Sequence, residues 1–467
     1  MADPTPCPRV AKVRTVGGLQ TPAAFIYAKK GLPINITPDL YKHLPNLKGL
    51  QQPLHDLIGM ECARSTKDGL RKMLTMDSEQ VIYTTIWDPL TCVTGPANNN
   101  GISINTVKKG RVQLKCESFM ADVKAMQPHM VALLSDHLYQ PTSKGRVRKA
   151  TTRTVDWARQ CVKRARTLWH DDSDSDDKEK KKEKPSSGLK AICIWAGGEY
   201  VIVIIKTVAS TSTTSSPSIS PRSPAKQARP LLFGVVEGGE MMDSRRFCAQ
   251  ALSDIEGLDG FVVAGLGQGE STAARQEILR TVLACLPVEK PVVASVIHSP
   301  LQQQQQQQQQ PQVLECVSHG VDLFESCYPY RLTCKGCALT FQHMFDKERA
   351  PSSAEKTEND TKEEEEEEEE EKKNDIALFS SKINLWDPKY KLDTSPIFPT
   401  CGCYACKTYS RAYLHHLLNT HEMLAQVLLQ LHNIYHFQAF FQEIRRAISE
   451  SRFTEYREQF ERAFDAA

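Results

Sequence analysis

PLLFGVVEGG (Pro230–Gly239), SRRFCAQALSDI (Ser244–Ile255), GFVVAGL (Gly260–Leu266), TAARQEILRTVLACL (Thr272–Leu286) and KPVVASV (Lys290–Val296) follow one another through short links. The first, third and fifth are brief apolar runs that read as buried strands. The second and fourth carry apolar residues at helical spacing. QVLECVSHG (Gln312–Gly320) and VDLFES (Val321–Ser326) add another helix and another strand. Such alternation predicts parallel β/α units. Runs apolar on both faces suit a closed parallel barrel or a doubly wound sheet, and the pattern leaves both open.

The chain around this segment has 467 residues, enough for two or three domains or for one barrel of roughly 250 residues with attachments. At 40% apolar, 24% charged and 7% aromatic residues, collagen-like, wholly disordered and multispan membrane classes are excluded. Fifteen cysteines are an odd number, and Met1–Pro22 has no apolar leader core, so a reducing compartment is expected. Four tracts read as loop insertions because they cannot bury a core. They are Asp171–Ser187, the Ser/Thr/Pro-rich Thr207–Arg229, the polyglutamine Gln302–Gln310 and the acidic Pro351–Asp375. The last holds 13 acidic and 4 basic residues, so the formal charge of +2 conceals a basic remainder that fits a nucleic-acid partner. Ala191–Ala209 has the length of a membrane span, but Gly197-Gly198-Glu199 interrupts it; a β-hairpin or unstructured stretch is expected, and no transmembrane segment.

Metal chemistry is written in Cys401-Gly402-Cys403-Tyr404-Ala405-Cys406. Three thiols in six residues suit one tetrahedral zinc, with a fourth ligand from elsewhere. Candidates are His415, His416, His421, His432 and His436, all on one helical run expected from Arg411 to about Ile448. His432 lies four residues after Leu428 and seven after Ala425, so it projects into the apolar face of that run. Cys401, Cys403, Cys406 and His432 are therefore the expected ligands, with His436 the alternative fourth. A shell of four protein ligands is closed, so the Zn2+ is expected to be structural.

The pattern Cys401-x-Cys403-x2-Cys406-x25-His432 resembles that of the tRNA-guanine transglycosylase family. YLHHLL precedes the histidine and HNIYHF spans it. Further landmarks occur in order: Thr21–Leu40, FGVVEGG (Phe233–Gly239), GFVVAGLGQGE (Gly260–Glu270), GVDLFESCYPYR (Gly320–Arg331) and GCALTF (Gly336–Phe341). What the resemblance implies is an α/β fold: a (β/α)8 TIM-type barrel with an inserted C-terminal zinc-binding subdomain, here with low-complexity loop insertions. The implied division is the N-terminal part of the barrel at 1–170, a low-complexity insert region at 171–229, C-terminal barrel strands and helices at 230–345, an acidic disordered loop at 346–385, and the zinc subdomain with the C-terminal helices at 386–467. The implied reaction exchanges the wobble guanine of a tRNA anticodon for a 7-deazaguanine, through attack of an aspartate on the ribose C1′.

This chain departs from the active members at the acid residues. Where they carry Phe-Asp-Cys-Val-x-Pro-Thr-Arg, it has Phe324-Glu325-Ser326-Cys327-Tyr328-Pro329-Tyr330-Arg331. One extra methylene moves the carboxylate by about 1 Å, a displacement that can cost on the order of 10²-fold in rate. Thr94–Thr106 stands where they have Asp-Ser-Gly-Gly-Phe-Gln and contains no carboxylate. Glu237 replaces the glutamine of Val-Gln-Gly-Gly, and a base-gripping aspartate would align with Ser135 or Asp136. These losses resemble the non-catalytic accessory chains of the heterodimeric, queuine-inserting eukaryotic branch. The resemblance then implies a catalytic homologue as partner, tRNA reached through the complex, and cytoplasmic residence with peripheral association at the mitochondrial outer surface. Arg331 and Lys335 are candidate tRNA contacts. Tyr409, Tyr413, Tyr435, Phe437, Phe440 and Phe441 are expected to supply the pairing surface. Two alternatives remain: an active transglycosylase with Glu325 as nucleophile, and a zinc-dependent nucleic-acid-binding module.

Overall fold

The β/α alternation closes into a ring. In the computed structural model, described over residues 11–12, 19–58, 69–70, 80–90, 97–106, 110–138, 143–174, 190–196, 199–205, 229–268, 270–296, 309–341 and 382–465, eight strands pair in parallel around a barrel. They are β1 (Ala23–Lys29), β2 (Gly49–Pro53), β3 (Val81–Thr85), β4 (Met130–Ala132), β5 (Leu231–Val236), β6 (Gly260–Leu266), β7 (Val292–Val296) and β8 (Leu323–Ser326). Each pairs with the next, and β8 returns to β1 with Leu323 opposite Ala23 and Ser326 opposite Ile26. The barrel reading of the sequence therefore holds over the doubly wound sheet. Gly260 opens β6 because a Cβ there would stand 2.7 Å from the Pro291 carbonyl oxygen and against the Phe233 ring.

Helices cover the outside, which is why the strands are apolar on both faces. They include α1 (Cys116–Met126), α2 (Lys144–Asp174), α3 (Met242–Ser253), α4 (Thr272–Leu283), α5 (Gln309–Ser318) and α6 (Tyr328–Cys334). Two tract boundaries shift. Helix α2 runs on through Asp174, four residues into the first expected insertion, and α5 begins at Gln309 inside the glutamine run. The remainder of those two tracts, Thr207–Ala228 and the acidic tract lie outside the described residues. Lys190–Ala196 and Glu199–Ile205 form an antiparallel pair, the hairpin of the two forms expected from the sequence. Among the described residues no helix is long and apolar enough to cross a membrane.

After the barrel come a strand pair, Cys337–Leu339 with Lys382–Asn384, and the helices α7 (Tyr404–Thr408), α8 (Arg411–Asn419), α9 (Met423–Ser449) and α10 (Phe453–Asp465). The single helix expected from Arg411 is two. His421 takes φ 56°, and Glu422 N–H bonds back to the Leu417 carbonyl, which ends α8 and resets the chain for α9. Helix α9 then serves two cores. Its Ala425, Leu428 and Leu429 pack with Leu414, Leu417, Ile397 and Leu385, whereas Leu431, Ile434, Phe437, Phe440, Phe441 and Ile444 join the barrel core.

Candidate metal centre and barrel mouth

The junction of those two cores is where the three cysteines meet His432. The loop before Cys401 is pinned by Arg411, which donates to Asp393 Oδ2 (3.0 Å) and to the Ile397 carbonyl (3.1 Å). Cys403 caps α7, its sulfur accepting the Cys406 N–H at 3.3 Å. His432 Nδ1 lies 3.7 Å from Cys401 Sγ, 3.5 Å from Cys403 Sγ and 3.3 Å from Cys406 Sγ, and all four donor atoms fall within 4.8 Å of one another. A tetrahedron with bonds of about 2.3 Å to sulfur and about 2.0 Å to nitrogen puts the two about 3.5 Å apart. The three observed nitrogen–sulfur distances, 3.3–3.7 Å, match that separation.

Orientation of the imidazole is set from behind. Its Nε2 lies 2.7 Å from the Leu339 carbonyl oxygen, which turns Nδ1 to the sulfurs, the arrangement by which protein groups aim metal-binding histidines. Asn433 fixes that carbonyl's strand: its Oδ1 accepts the Leu339 N–H (2.9 Å) and its Nδ2 donates to Cys337 O (3.0 Å). Sequence reasoning passed over Asn433, whose one signal was an amide on an apolar helix face. Burial lowers the His432 pKa, but bonds to the Cys403 and Cys406 sulfurs outweigh it and push the ring up to about 10. Bonds from Cys401 and Cys406 hold the Cys403 thiol far down, and the same sharing holds Cys401 up. Three soft thiols and an imidazole sharing protons at this spacing fit a thiophilic dication that would displace those protons. The alternative ligand His436 turns elsewhere, its Nε2 2.9 Å from Phe341 O. His415 bonds Leu385 O, and His416 and His421 are exposed.

At the carboxyl ends of the barrel strands Glu325 is 2% exposed. Its Oε1 accepts the Tyr83 hydroxyl (2.8 Å), and its Oε2 accepts the Trp87 indole N–H and the Ser295 hydroxyl (both 2.7 Å). Arg331, a candidate tRNA contact, donates to the Pro89 carbonyl at 2.8 Å. Burial raises the Glu325 pKa, against the lowering effect of its three hydrogen-bond donors. Glu237 Oε1 is 2.6 Å from His137 Nδ1, whose ring stacks on Trp87 with centroids 5.4 Å apart. Asp136 is gripped in a fork by Arg146 (2.6 and 2.7 Å) and again by Arg153, while Ser135 is fully buried. Two strands of the carboxylate-free segment, Ala97–Asn98 and Gly101–Thr106, join Gly110–Leu114 in a three-stranded antiparallel sheet.

The expected pairing surface requires correction. Phe437, Phe440 and Phe441 are fully buried, with Phe441 against Phe324 and Phe437 against Tyr328, because α9 lies on the barrel wall. They fill a core. Among the described residues, the large apolar side chains left exposed in the C-terminal region are Trp386, Leu392, Tyr413, Met423 and Leu424.

A model of the family described as queuine tRNA-ribosyltransferase matches residues 5–187 and 206–466, breaking only where the hairpin lies. The chain is 29% identical to the human queuine tRNA-ribosyltransferase accessory subunit 2, over 97% of this chain and 96% of that one. It is 30% identical to the accessory subunit 2 of Pongo abelii, over 95% and 93%. A bacterial queuine tRNA-ribosyltransferase, from Lachnospira eligens, is 32% identical over 49% of this chain and 48% of its own.

Proposed function

Because the chain belongs to the queuine tRNA-ribosyltransferase family, we propose that it is the non-catalytic accessory subunit of a heterodimeric enzyme that exchanges guanine for queuine at the tRNA wobble position. The observation that carries this reading is the state of Glu325. A nucleophile must present a free lone pair to the ribose carbon, within about 3–3.5 Å and aligned. Here both carboxylate oxygens already accept hydrogen bonds, from Tyr83, Trp87 and Ser295, and the group is buried. Asp136 is likewise engaged by two guanidinium groups, so it is in no position to grip a base. At the mouth Glu325, Glu237 and Asp136 are each engaged by neighbouring side chains, which supports a structural role for these acids.

On this proposal Cys401, Cys403, Cys406 and His432 hold one structural Zn2+, which when bound supplies cross-linking of the loop to α9 and no reaction step. The catalytic homologue docks on the C-terminal region, a choice supported by the exposed Trp386, Leu392, Tyr413, Met423 and Leu424. Cytoplasmic residence with peripheral attachment at the mitochondrial outer surface belongs to the same proposal, and fractionation tests it.

Purified chain, tRNA and labelled guanine, with and without the catalytic homologue, test the function. The isolated chain should incorporate no label, the mixture should incorporate it, and Glu325→Gln should leave the mixture's rate nearly unchanged. Turnover by the isolated chain would favour the Glu325-nucleophile alternative. Binding of tRNA with no effect on the homologue would favour the zinc-dependent nucleic-acid-binding module.

A further inference from the structure

Helix α2 is basic along its outward face from Arg148 to Arg166. Of its described solvent-exposed residues from 148 to 167, Arg148, Lys149, Arg159, Lys163 and Arg166 are basic and Asp156 is the one acid; the rest are Thr152, Gln160 and Thr167. The track from Arg148 to Arg166 is about 27 Å long at 1.5 Å per residue. Little of its charge is neutralised. Asp156 pairs with Arg159 at 3.3 Å, and Glu256, 94% exposed, stands 3.9 Å from Arg166. Arg148, Lys149 and Lys163 have no ion pair among the described residues. At the barrel mouth the track continues into Arg146 and Arg153, whose two charges outnumber the one on Asp136 that holds them in place.

We propose that this face binds the phosphate backbone of RNA, independently of sequence. The proposal rests on the reading that the chain works on tRNA and says which surface meets it. Neutralised phosphates release counterions, so a row of Lys and Arg on a rigid helix, three of them without an ion pair among the described residues, suits such binding. The face carries no aromatic residue on which bases could stack, so it meets phosphates and not bases. An anionic membrane fits less well. Helices that lie on bilayers sink an apolar side into the lipid, and the apolar side of α2 (Val147, Val155, Trp157, Cys161, Val162) is spent on the barrel.

Ring order adds a further argument. Helix α2 joins β4 to β5, whereas α9 packs on β1 and on α6, which follows β8. These lie on opposite sides of an eight-membered ring. RNA on α2 therefore leaves the C-terminal region free for a protein partner.

The test compares the full wild-type chain with Arg148→Gln/Lys149→Gln/Lys163→Gln, three exposed changes that keep good helix formers. Binding to unmodified tRNA is followed by fluorescence anisotropy from 50 to 200 mM KCl, far-UV circular dichroism checks the fold, and size exclusion checks pairing with the catalytic homologue. The variant should bind about tenfold more weakly or worse. Its plot of log affinity against log salt should lose roughly 0.7–0.9 in slope per removed contact, about 2–3 in all. Pairing with the homologue should be unaffected. Unchanged affinity and slope in a folded variant, or no tRNA binding by the wild type, would overturn the proposal. So would loss of binding to phosphatidylserine vesicles with RNA binding intact, which would assign the face to a membrane. Failure of both proteins to pair would count against the accessory-subunit reading and leave the RNA measurement on the chain alone standing.

Discussion

Cys403→Ser should detach one region of the molecule and spare the rest. Cys403 is 1% exposed, 3.5 Å from His432 Nδ1, and its sulfur also caps α7. A serine hydroxyl is shorter and does not ionise near neutrality, so the ligand set falls to three. Structural zinc contributes on the order of 10 kcal/mol in small peptides, as much as the whole stability of a typical domain. The second core depends on it: twelve buried residues, among them Leu385, Ile397, Leu414, Leu417, Leu428 and Leu429, pack around the cluster apart from the barrel core. Losing even about 4 kcal/mol of that raises local amide exchange roughly 10³-fold, at about 1.4 kcal/mol per decade. The loosening should stop inside α9, because Ile434, Phe437, Phe440 and Phe441 are anchored in the barrel core. Elemental analysis should find zinc in the wild type and none in the variant. Hydrogen exchange by mass spectrometry should show fast exchange over 382–430 and unchanged protection in β1–β8. Equal zinc in both proteins, or exchange raised uniformly along the chain, would refute the reasoning.

Glu325 contributes a pH dependence that Glu325→Gln should erase. Burial raises its folded pKa above the ordinary 4.5, so the stability it supplies is present below that value and lost as pH rises through the folded one. Denaturation curves of wild type and variant should diverge above pH 4.5 by at most about 1.4 kcal/mol per pH unit; parallel profiles would contradict this. Arg275→Met removes the partner of two buried carboxylates, Glu315 at 2.7 Å and Glu270 at 3.3 Å, and should cost about 3–5 kcal/mol in urea unfolding, with a loss under about 1 kcal/mol counting against it. Deleting Lys190–Ile205, a hairpin whose strands pair with each other, shortens a loop and should shift stability by about 0.6 kcal/mol or less. Loss of soluble protein on that deletion would give the hairpin a structural role.

How far the sequence reveals this fold depends on how local the cause is. From Pro230 onward each strand and helix is long enough to display its own period, and the β/α alternation is legible. In the first half β4 is three residues, Met130–Ala132, too short to show any period, so the barrel there is visible only by resemblance. His432 is legible because three thiols at fixed spacing demand a fourth donor and helical spacing supplies it. The break at Thr420–Glu422 is hidden, since neither glycine nor proline marks it and a histidine takes the left-handed turn. Phe437, Phe440 and Phe441 mislead for a related reason: their spacing says which face of α9 they share and cannot say that the barrel wall covers it. The partners of Glu325 come from β7 and from β3 with the loop after it, and those of Asp136 lie 10 and 17 residues downstream on α2. The first set spans a separation of 242 residues and the second is split by the loop before α2.

The central claim is that this chain assists base exchange without performing it, and the most direct measurement is which polypeptide becomes joined to tRNA. The assembled complex is incubated with tRNA, quenched with denaturant during turnover, and its adducts are located by mass spectrometry. The account predicts tRNA attached to the catalytic homologue and none on this chain, with the same result after Glu325→Gln. A tRNA ribose linked to Glu325 would contradict it.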